Sequence, residues 1–262
     1  KNAFDAATIA ALREAFETLH GADHVRVVFV RGAGGTFSAG ADLGWMADAA
    51  GWSGKGELGL AFSKGNTDSQ TFVGKMSMDY EDATWKHDLD AAFLYGKSDD
   101  VESAYRYEWS AASGFRLNER NRLSGSMRNE RDHFATNEYQ WTVALGYGYD
   151  AISNERTRLI FEIGPGYRWA KLQGVRVHND EVILRGLMDF SRKLTDTTSV
   201  FNTLLVEAGD ENTFVRNDLG LQVKMTDALA LKAGLQVRHN TETLAETRRT
   251  DTLTTVNVVY GF

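Results

Sequence analysis

The sequence predicts an all-β protein, an antiparallel up-and-down transmembrane β-barrel of about twelve strands, preceded by a short α/β segment. Three observations predict this fold. Apolar and polar residues alternate strictly in stretch after stretch from Trp52 onward. Short connections alternate with longer polar ones, and aromatic residues gather near the ends of the alternating stretches. A soluble antiparallel sheet with one wet face explains the alternation alone, but not all three features together.

The alternation is clearest between Gln140 and Asp150, where every second residue is large and apolar. The apolar members there are Trp141, Val143, Leu145, Tyr147 and Tyr149. Residues 105–116 and 229–238 repeat the pattern. Each stretch runs for roughly ten residues, which is enough for a tilted strand to cross a bilayer.

The connections between these stretches fall into two groups. The short ones lie near residues 81–83, 118–120, 153–155, 195–197 and 226–227. The longer polar ones lie at residues 131–137, 172–180 and 240–250. This asymmetry is typical of outer-membrane barrels, which have short periplasmic turns and longer outer loops.

Aromatic residues form two groups, as expected for belts at the two membrane interfaces. The short-turn group is Trp52, Tyr80, Trp85, Tyr149 and Tyr260. The long-loop group is Tyr105, Tyr107, Trp141, Tyr167 and Trp169. His87, at an outward strand position beside the first group, is expected at the interface.

The final residues are apolar on one face up to the carboxylate, at Val256, Val258, Tyr260 and Phe262. We expect this last strand to pair with the first and to close the barrel. We also expect Val258, Tyr260 and Phe262 to be the signal by which barrel-assembly machinery recognises the chain.

The composition limits the classes of function. The chain has 262 residues, a net charge of −7 and no cysteine, which argues against nucleic-acid binding and excludes disulfides and zinc–thiolate sites. Its mean hydropathy is −0.37 and no run approaches the roughly 18 apolar residues of a membrane helix. We therefore expect no cofactor and no metal site. The chain begins at Lys1 without a methionine or a visible signal peptide, so we expect that its natural N terminus differs.

The character of the sequence changes near residue 50, which predicts two regions, 1–50 and 51–262. The first reads as a helix over 5–19, a strand over 25–30 and a glycine-rich loop over 31–35. One helix and one strand cannot bury a core, so this region is not expected to be an independent domain. A fusion remnant, a mis-joined reading frame and a periplasmic appendage are the open explanations.

The barrel region contains six recognisable motifs, at residues 51–59, 63–68, 164–168, 210–214, 237–240 and 250–257. In these motifs the barrel region resembles the salt-induced outer-membrane protein family. The resemblance implies a barrel in the outer membrane of a Gram-negative bacterium, in contact with outer-membrane lipid, and a link to salt stress. It leaves the role open between envelope structure and limited permeation of small solutes or ions. We expect a monomer.

Residues 2–5, 25–32 and 37–43 resemble the N-terminal part of the enoyl-CoA hydratase/isomerase (crotonase) family. The resemblance implies that the backbone amide of Ala41 matches an oxyanion-hole donor of that family. The catalytic half of a crotonase would lie further along the chain, where the sequence has become barrel. We therefore expect no enzyme, with an acyl-CoA hydratase or isomerase fragment as the alternative for residues 1–50 only.

Charged residues of both signs occupy the face that alternates with the apolar one. The candidate lumen charges are Lys55, Glu57, Lys75, Asp88, Arg106, Glu108, Arg116, Arg128, Glu162, Arg168, Arg185, Asp189, Lys224, Lys232 and Arg238. The same inward face carries Asp79, Lys86, Asp90 and Glu130. Two interpretations follow: a narrow polar channel whose charges bias ion passage, or a lumen closed by its own salt bridges. For about twelve strands, fewer than the 16–18 of open porins, we favour the closed lumen slightly.

Histidines offer the remaining chemistry. His20 and His24 are spaced as a pair, but without a carboxylate cluster they are expected to be solvated. Some outer-membrane barrels are hydrolases, and the candidates for such a site are His133 with Asp132 and His178 with Asp180. A loop-based hydrolase is therefore a further alternative, which requires a serine or aspartate near one of these imidazoles.

Overall fold

The protein is described from a computed structural model that covers residues 3–4, 40–41, 52–64, 69–98, 101–173, 178–243 and 248–261. The chain divides into two compact units, residues 1–52 with Phe262 and residues 53–261. In the first unit, β1 (Ala3–Phe4) and β2 (Gly40–Ala41) form a short parallel pair. The helix, strand and loop predicted over residues 5–35 lie outside the described residues, as does Phe262.

The second unit is a closed barrel of twelve strands, each hydrogen-bonded to its neighbours, in the order β10-β11-β12-β13-β14-β3-β4-β5-β6-β7-β8-β9. Its strands are β3 (Trp52–Lys64), β4 (Ser69–Glu81), β5 (Trp85–Ser98), β6 (Val101–Arg116), β7 (Asn121–Asp132), β8 (Asn137–Ser153), β9 (Thr157–Leu172), β10 (His178–Lys193), β11 (Thr198–Gly209), β12 (Thr213–Lys224), β13 (Leu229–Asn240) and β14 (Thr250–Gly261). Consecutive strands are neighbours, and β14 pairs with β3 to close the ring. The predicted fold class, including the number of strands, is confirmed.

The alternation of the sequence becomes an alternation of exposure around the barrel. On β8, Leu145 is 68% exposed, whereas Thr142 and Ala144 are 3% and 4% exposed. The apolar residues of each strand therefore form the outer wall, and the polar residues lie inside, which is the reverse of a soluble core. No helix long and apolar enough to cross a bilayer occurs among the described residues.

The strands are longer than the sequence predicted, with 12 residues in β7 and 17 in β8. They extend into segments that we expected to be loops, because a strand needs no apolar face where it projects beyond a membrane. Residues 131–137 are thereby reduced to the connection 133–136, and residues 172–180 to 173–177. The predicted contrast in loop length is therefore too strong: one end of the barrel has turns of three or four residues, and connections at the other range from two to nine.

The short turns share one local device. A side-chain oxygen at the start of each turn accepts hydrogen bonds from the backbone amides two or three residues later, as in Asx and ST turns. Asp82 accepts from Thr84 at 2.7 Å and from Trp85 at 2.6 Å. The hydrogen bonds from the Trp85 amide and then the Thr84 amide hold the pKa of the Asp82 carboxyl below its ordinary value. The equivalent acceptors are Asn118, Asn154, Thr195 and Thr226.

Aromatic rings meet between strands near both ends of the barrel. Trp85 packs edge-on against Phe115 at 5.1 Å near the short turns. Trp109 and Trp141 pack edge-on at 5.3 Å in the half with the other connections. His87 stacks against Trp85 at 5.8 Å, so its outward position belongs to the first aromatic group.

Candidate functional site in the barrel lumen

The inward positions of the strands concentrate charge in the lumen. The structure places every charged residue that the sequence proposed for the lumen at a position alternate to the exposed apolar ones. The pairing of antiparallel strands keeps directly opposite residues on the same face, so these charges share one interior.

Glu108 and Arg216 join opposite walls of the barrel. Glu108 lies on β6 and Arg216 on β12, which are six strands apart in the ring of twelve. Their carboxylate and guanidinium form an ion pair across the lumen. Arg216 Nε also lies 3.1 Å from Asp218 Oδ2. A path along the lumen is therefore crossed by a charged pair.

A second pair crosses the lumen between Glu130 on β7 and Arg238 on β13, again six strands apart. Glu130 also accepts a hydrogen bond from Arg128 Nη1 at 2.8 Å, and Arg128 Nη2 donates to Glu207 on β11 at 2.7 Å. Each guanidinium thus bridges separate strands, as the fork geometry of arginine allows.

The same network continues to β9 and β10. Arg168, which is 1% exposed, pairs with Glu181 and donates to the backbone oxygen of Asn212. Its Nη1 lies 3.9 Å from Glu207 Oε2. We call this network the arginine–glutamate cluster, consisting of Arg128, Glu130, Arg168, Glu181, Glu207 and Arg238.

An apolar ring supports the cluster from within. The guanidinium carbons of Arg128 and Arg238 each lie 5.2 Å from the centre of the Phe214 ring, which is 3% exposed. Such cation–π contacts hold the planar groups in place without neutralising them. All six cluster residues are at most 9% exposed, so the cluster is a packed plug rather than a loose lining.

A third set of contacts lies at the seam where β14 meets β3. Glu57 accepts from Lys232 Nζ at 2.6 Å and from Asn257 Nδ2 at 2.9 Å. Lys232 Nζ also lies 4.5 Å from the centre of the Phe201 ring. These contacts join β3, β13 and β14 on the inside of the wall.

The remaining predicted lumen charges have local partners or none. Arg185 pairs with Glu162 at 2.5 Å, Asp189 accepts from Thr203 at 3.0 Å, and Lys86 pairs with Asp88. Arg116 pairs with Glu81 at 2.5 Å and Lys224 with Asp227 at 3.0 Å, both near the short turns. Neither Lys55 nor Lys75 forms an ion pair with any residue of the described segments.

The sequence list missed four residues of this network, Glu181, Glu207, Arg216 and Asp218. Glu207 follows three consecutive apolar residues, 204–206, which interrupt the alternation. Arg216 and Asp218 flank the outward Asn217, which removes the apolar contrast at that point. Counting back in steps of two from the outward Leu221 and Leu219 would have placed both charges inside.

The histidine candidates find no nucleophile. His133 stacks on Tyr105 at 4.5 Å and lies 3.9 Å from Glu102, while His178 packs edge-on against Tyr139 at 6.4 Å. Within the described ranges neither imidazole is hydrogen-bonded to a hydroxyl, whereas His239 Nδ1 lies 2.8 Å from Thr250 Oγ1. No cluster of three metal-binding side chains occurs among the residues that the structure describes.

The sequence also matches a family model described as "Protein of unknown function, DUF481", over residues 56–262. The chain belongs to the DUF481 family. This match covers the barrel except for the first four residues of β3, and residues 1–55 lie outside it. No curated protein matches the sequence.

Solved structures resemble this DUF481 barrel in fold. The NanC porin superposes with a TM-score of 0.54 at 8% identity, over 78% of this chain and 98% of that one. The KdgM porin in complex with disordered oligogalacturonate gives 0.47 at 12% identity, over 79% and 99%. An outer membrane channel from Pseudomonas putida F1 gives 0.46 at 12% identity, over 80% and 94%. The NanC likeness supports the barrel fold. Neither the salt-induced family nor the crotonase family is among these likenesses, so both resemblances stay predictions.

Proposed function

We propose that this DUF481 protein is a bacterial outer-membrane β-barrel whose lumen is held nearly closed by trans-lumen ion pairs, so that small ions and solutes pass only slowly. The observation that carries the proposal is the pairing of Glu108 with Arg216 and of Glu130 with Arg238 across the barrel. Each pair joins strands that are six apart in the ring of twelve, so it spans the full width of the lumen. A solute therefore cannot pass either pair by keeping to one wall.

The outer wall supports a membrane location. Leu58, Leu145 and Val182 are 61%, 68% and 68% exposed, and exposed large apolar residues occur on eleven of the twelve described strands. A soluble protein rarely exposes a continuous apolar surface larger than a few hundred Å². In the hydrocarbon core of a bilayer, exposed apolar side chains carry no hydration cost. A closed barrel also leaves no unpaired strand edge in the hydrocarbon. Barrels of this construction are typical of bacterial outer membranes.

The charges of the plug support slow passage rather than an open pore. A passing ion must part Arg238 from Glu130, or Arg216 from Glu108, and each separated charge would then lie in a poorly solvated interior. Removing one partner of a buried ion pair typically costs about 3–5 kcal/mol. The arginine–glutamate cluster contains three arginines and three glutamates, so it does not strongly repel either cations or anions. It opposes the passage of both by filling the lumen.

The last strand supports a role in assembly. Val258 and Tyr260 are 51% and 50% exposed on the outer face of β14, and β14 is the strand that closes the ring against β3. We propose that this strand is recognised by the barrel-assembly machinery before closure and that the finished barrel is a monomer. A link to salt stress rests on the sequence resemblance, and we propose no catalytic role.

Single-channel conductance of the full chain, refolded and inserted into a planar bilayer, tests the proposal. We expect the native protein to give small or rare steps, and we expect Arg216→Met and Arg238→Met to raise the conductance. Arg116→Met is the matched control, because Arg116 pairs with Glu81 near the short turns and does not cross the lumen. Large, stable steps from the native protein would overturn the closed lumen. Silence from the native protein and from both variants would overturn permeation and leave a structural role in the envelope.

A further inference from the structure

Two neighbouring groups of opposite charge face the lumen without forming ion pairs. Lys75 on β4 and Asp90 on β5 both occupy inward positions, and Asp90 is exposed to the lumen while Lys75 is half-buried. Within the segments that the structure describes, neither side chain forms an ion pair. Buried charged groups are normally paired, so two groups of opposite sign that lie side by side without ion pairs point to a partner from outside the chain.

Both groups line a lumen cavity of about 320 Å³. The cavity lies between the wall formed by β3 to β6 and the wall formed by β11 to β14. On β13 it extends from Lys232 to Gln236, so it ends one inward position before Arg238 of the arginine–glutamate cluster. Small-molecule sites typically enclose about 300–1,000 Å³, so a ligand of this cavity must be small.

The other charges of the cavity already have partners. Lys232 is bound by Glu57, and Arg216 is bound by Glu108 and Asp218. Arg106 donates to Gln236 at 3.1 Å, and Gln236 donates to Asp218 at 2.6 Å. Asp90 accepts a hydrogen bond from the Ser77 hydroxyl. A ligand would therefore meet a largely satisfied polar wall with one ammonium and one carboxylate that lack an ion-pair partner.

The strand register sets the spacing of these two groups. Ser77 pairs with Asp90 and Lys75 pairs with Ala92, so Lys75 and Asp90 are diagonal neighbours on the same face. Diagonal neighbours in an antiparallel pair lie about 7–8 Å apart. This spacing leaves room for a small group with two opposite charges between the side chains.

We propose that this cavity binds a small zwitterion of the α-amino acid class. Its carboxylate would contact the Lys75 ammonium and its ammonium would contact the Asp90 carboxylate, with the hydroxyls of Ser77 and Ser110 along the same wall and that of Thr203 on the opposite wall. The inference rests on the lumen described under the proposed function and names the solute that this lumen would hold.

The charge balance of the cavity favours a zwitterion over a simple ion. Four cationic and four anionic side chains line it: Lys75, Arg106, Arg216 and Lys232, and Glu57, Asp90, Glu108 and Asp218. An anion bound at Lys75 would be repelled by the nearby Asp90, and a cation bound at Asp90 would be repelled by Lys75. A zwitterion satisfies both groups and leaves the net charge unchanged, which is the electrostatic complementarity that gives specificity.

Isothermal titration calorimetry on the refolded full chain in detergent micelles tests the inference. The probes are L-serine, which carries both charges, and acetate and ethylammonium, which carry one each. We expect serine to bind and each single-charge probe to bind at least about tenfold more weakly. Equal binding of acetate and serine would overturn the zwitterion in favour of an anion site, and no heat with serine would overturn the site altogether.

Three variants assign the binding to the two side chains. Lys75→Met and Asp90→Asn should each weaken serine binding by about tenfold or more. Lys224→Met is the control, because Lys224 faces the interior near the short turns but does not line this cavity. The exchange of both charges, Lys75→Asp with Asp90→Lys, should restore binding, since a zwitterion can reverse its orientation. Failure of Asp90→Asn to weaken binding would overturn the role of that carboxylate.

Two controls keep the outcomes separate. Heat-modified mobility on gels shows whether each variant has formed the barrel, and Asp90→Asn with the double exchange carries the test if Lys75→Met does not fold. Binding in micelles requires no ion flow. A barrel that conducts slowly but does not bind serine overturns this inference alone, and a barrel that binds serine but never conducts overturns the permeation proposal alone.

Discussion

Asn257 donates its side-chain amide to Glu57 Oε2 at 2.9 Å, on the inside of the seam where the last strand meets the first. Asn257 is 0% exposed, and its side chain fits there because Gly59, on the neighbouring strand, has no side chain. A Cβ at Gly59 would lie 2.0 Å from Asn257 Oδ1 and 2.5 Å from the Val256 backbone oxygen. The closing pair of strands is therefore tied by a buried, charge-assisted hydrogen bond as well as by its backbone ladder.

We expect Asn257→Ala to lower the free energy of unfolding by about 1.5–3 kcal/mol, the value of a hydrogen bond to a charged group. The measurement is urea unfolding of the refolded barrel in micelles. Thr255→Val is the control, because Thr255 faces inward on the same strand and its hydroxyl makes no hydrogen bond within the described residues. Equal losses in the two variants would show that the seam gains nothing from the Asn257 contact.

Leu145 lies at the middle of β8 on the outer wall, so Leu145→Arg places a charge at the centre of the apolar band. We expect a cost of about 2–4 kcal/mol, whereas Leu123→Arg, near the short-turn end of β7, should cost about 0–1 kcal/mol. Refolding into lipid vesicles followed by denaturant titration measures both. Equal costs at the two depths would contradict the membrane assignment. Ala144→Arg, on the inner face, should instead act through the lumen and change the conductance.

Gly164 on β9 cannot accept a side chain without moving the neighbouring strand. A Cβ there would lie 1.9 Å from the Leu145 backbone oxygen, whereas a Cβ at Gly186 on β10 meets nothing within 4 Å. We expect Gly164→Ala to slow refolding and to destabilise the barrel, and we expect Gly186→Ala to be nearly neutral. Refolding yield from gel mobility gives the comparison. A neutral Gly164→Ala would mean that β8 and β9 separate more easily than their close approach indicates.

Glu130 and Arg238 offer a double-mutant cycle across the lumen. Arg238→Met or Glu130→Gln alone should cost about 3–5 kcal/mol, because each leaves a charge buried without its partner. The combined variant should cost less than the sum, since both charges leave the interior together. Unfolding free energies of the four proteins give the coupling energy. Strict additivity would show that the two side chains do not depend on each other.

Deletion of Phe262 tests the expectation that the end of the chain directs assembly. We expect the shortened protein to accumulate in the periplasm when expressed in a Gram-negative host, because its last strand lacks the terminal aromatic residue. The control is Leu117→Ala, an exposed apolar change at a short turn. Membrane fractionation measures both, and normal insertion of the deletion variant would remove the assembly role from Phe262.

The sequence predicted the barrel because its signal is local. A strand that faces lipid on one side and water on the other must alternate, and residues 140–150 show this without knowledge of the neighbouring strands. Where the two faces do not differ in polarity, as around Asn217, the same signal disappears. Strand ends were predicted poorly for the same reason, because a strand beyond the membrane has no apolar face to reveal it.

The pairing inside the lumen could not be predicted. Glu108 and Arg216 meet because β6 and β12 are opposite in a closed ring, and their heights depend on the stagger of every strand between them. No local sequence pattern encodes the combined stagger of those strands. The sequence could identify Lys75 and Asp90 as inward charges, but only the structure shows that neighbouring charges form ion pairs and that these two do not.

The sequence separation of the ion pairs that cross the lumen bears on the order in which contacts form during assembly. Glu108 and Arg216, like Glu130 and Arg238, are separated by 108 residues, and Glu57 and Asn257 by 200. Such distant contacts form late, after the entropy of closing long loops has been overcome. By the same measure, the two ion pairs can form before the wall is complete, because the seam between β14 and β3 joins residues that are still further apart. The charges that cross the lumen would then already be paired when the last strand docks, and a newly inserted barrel would become impermeable as it closes.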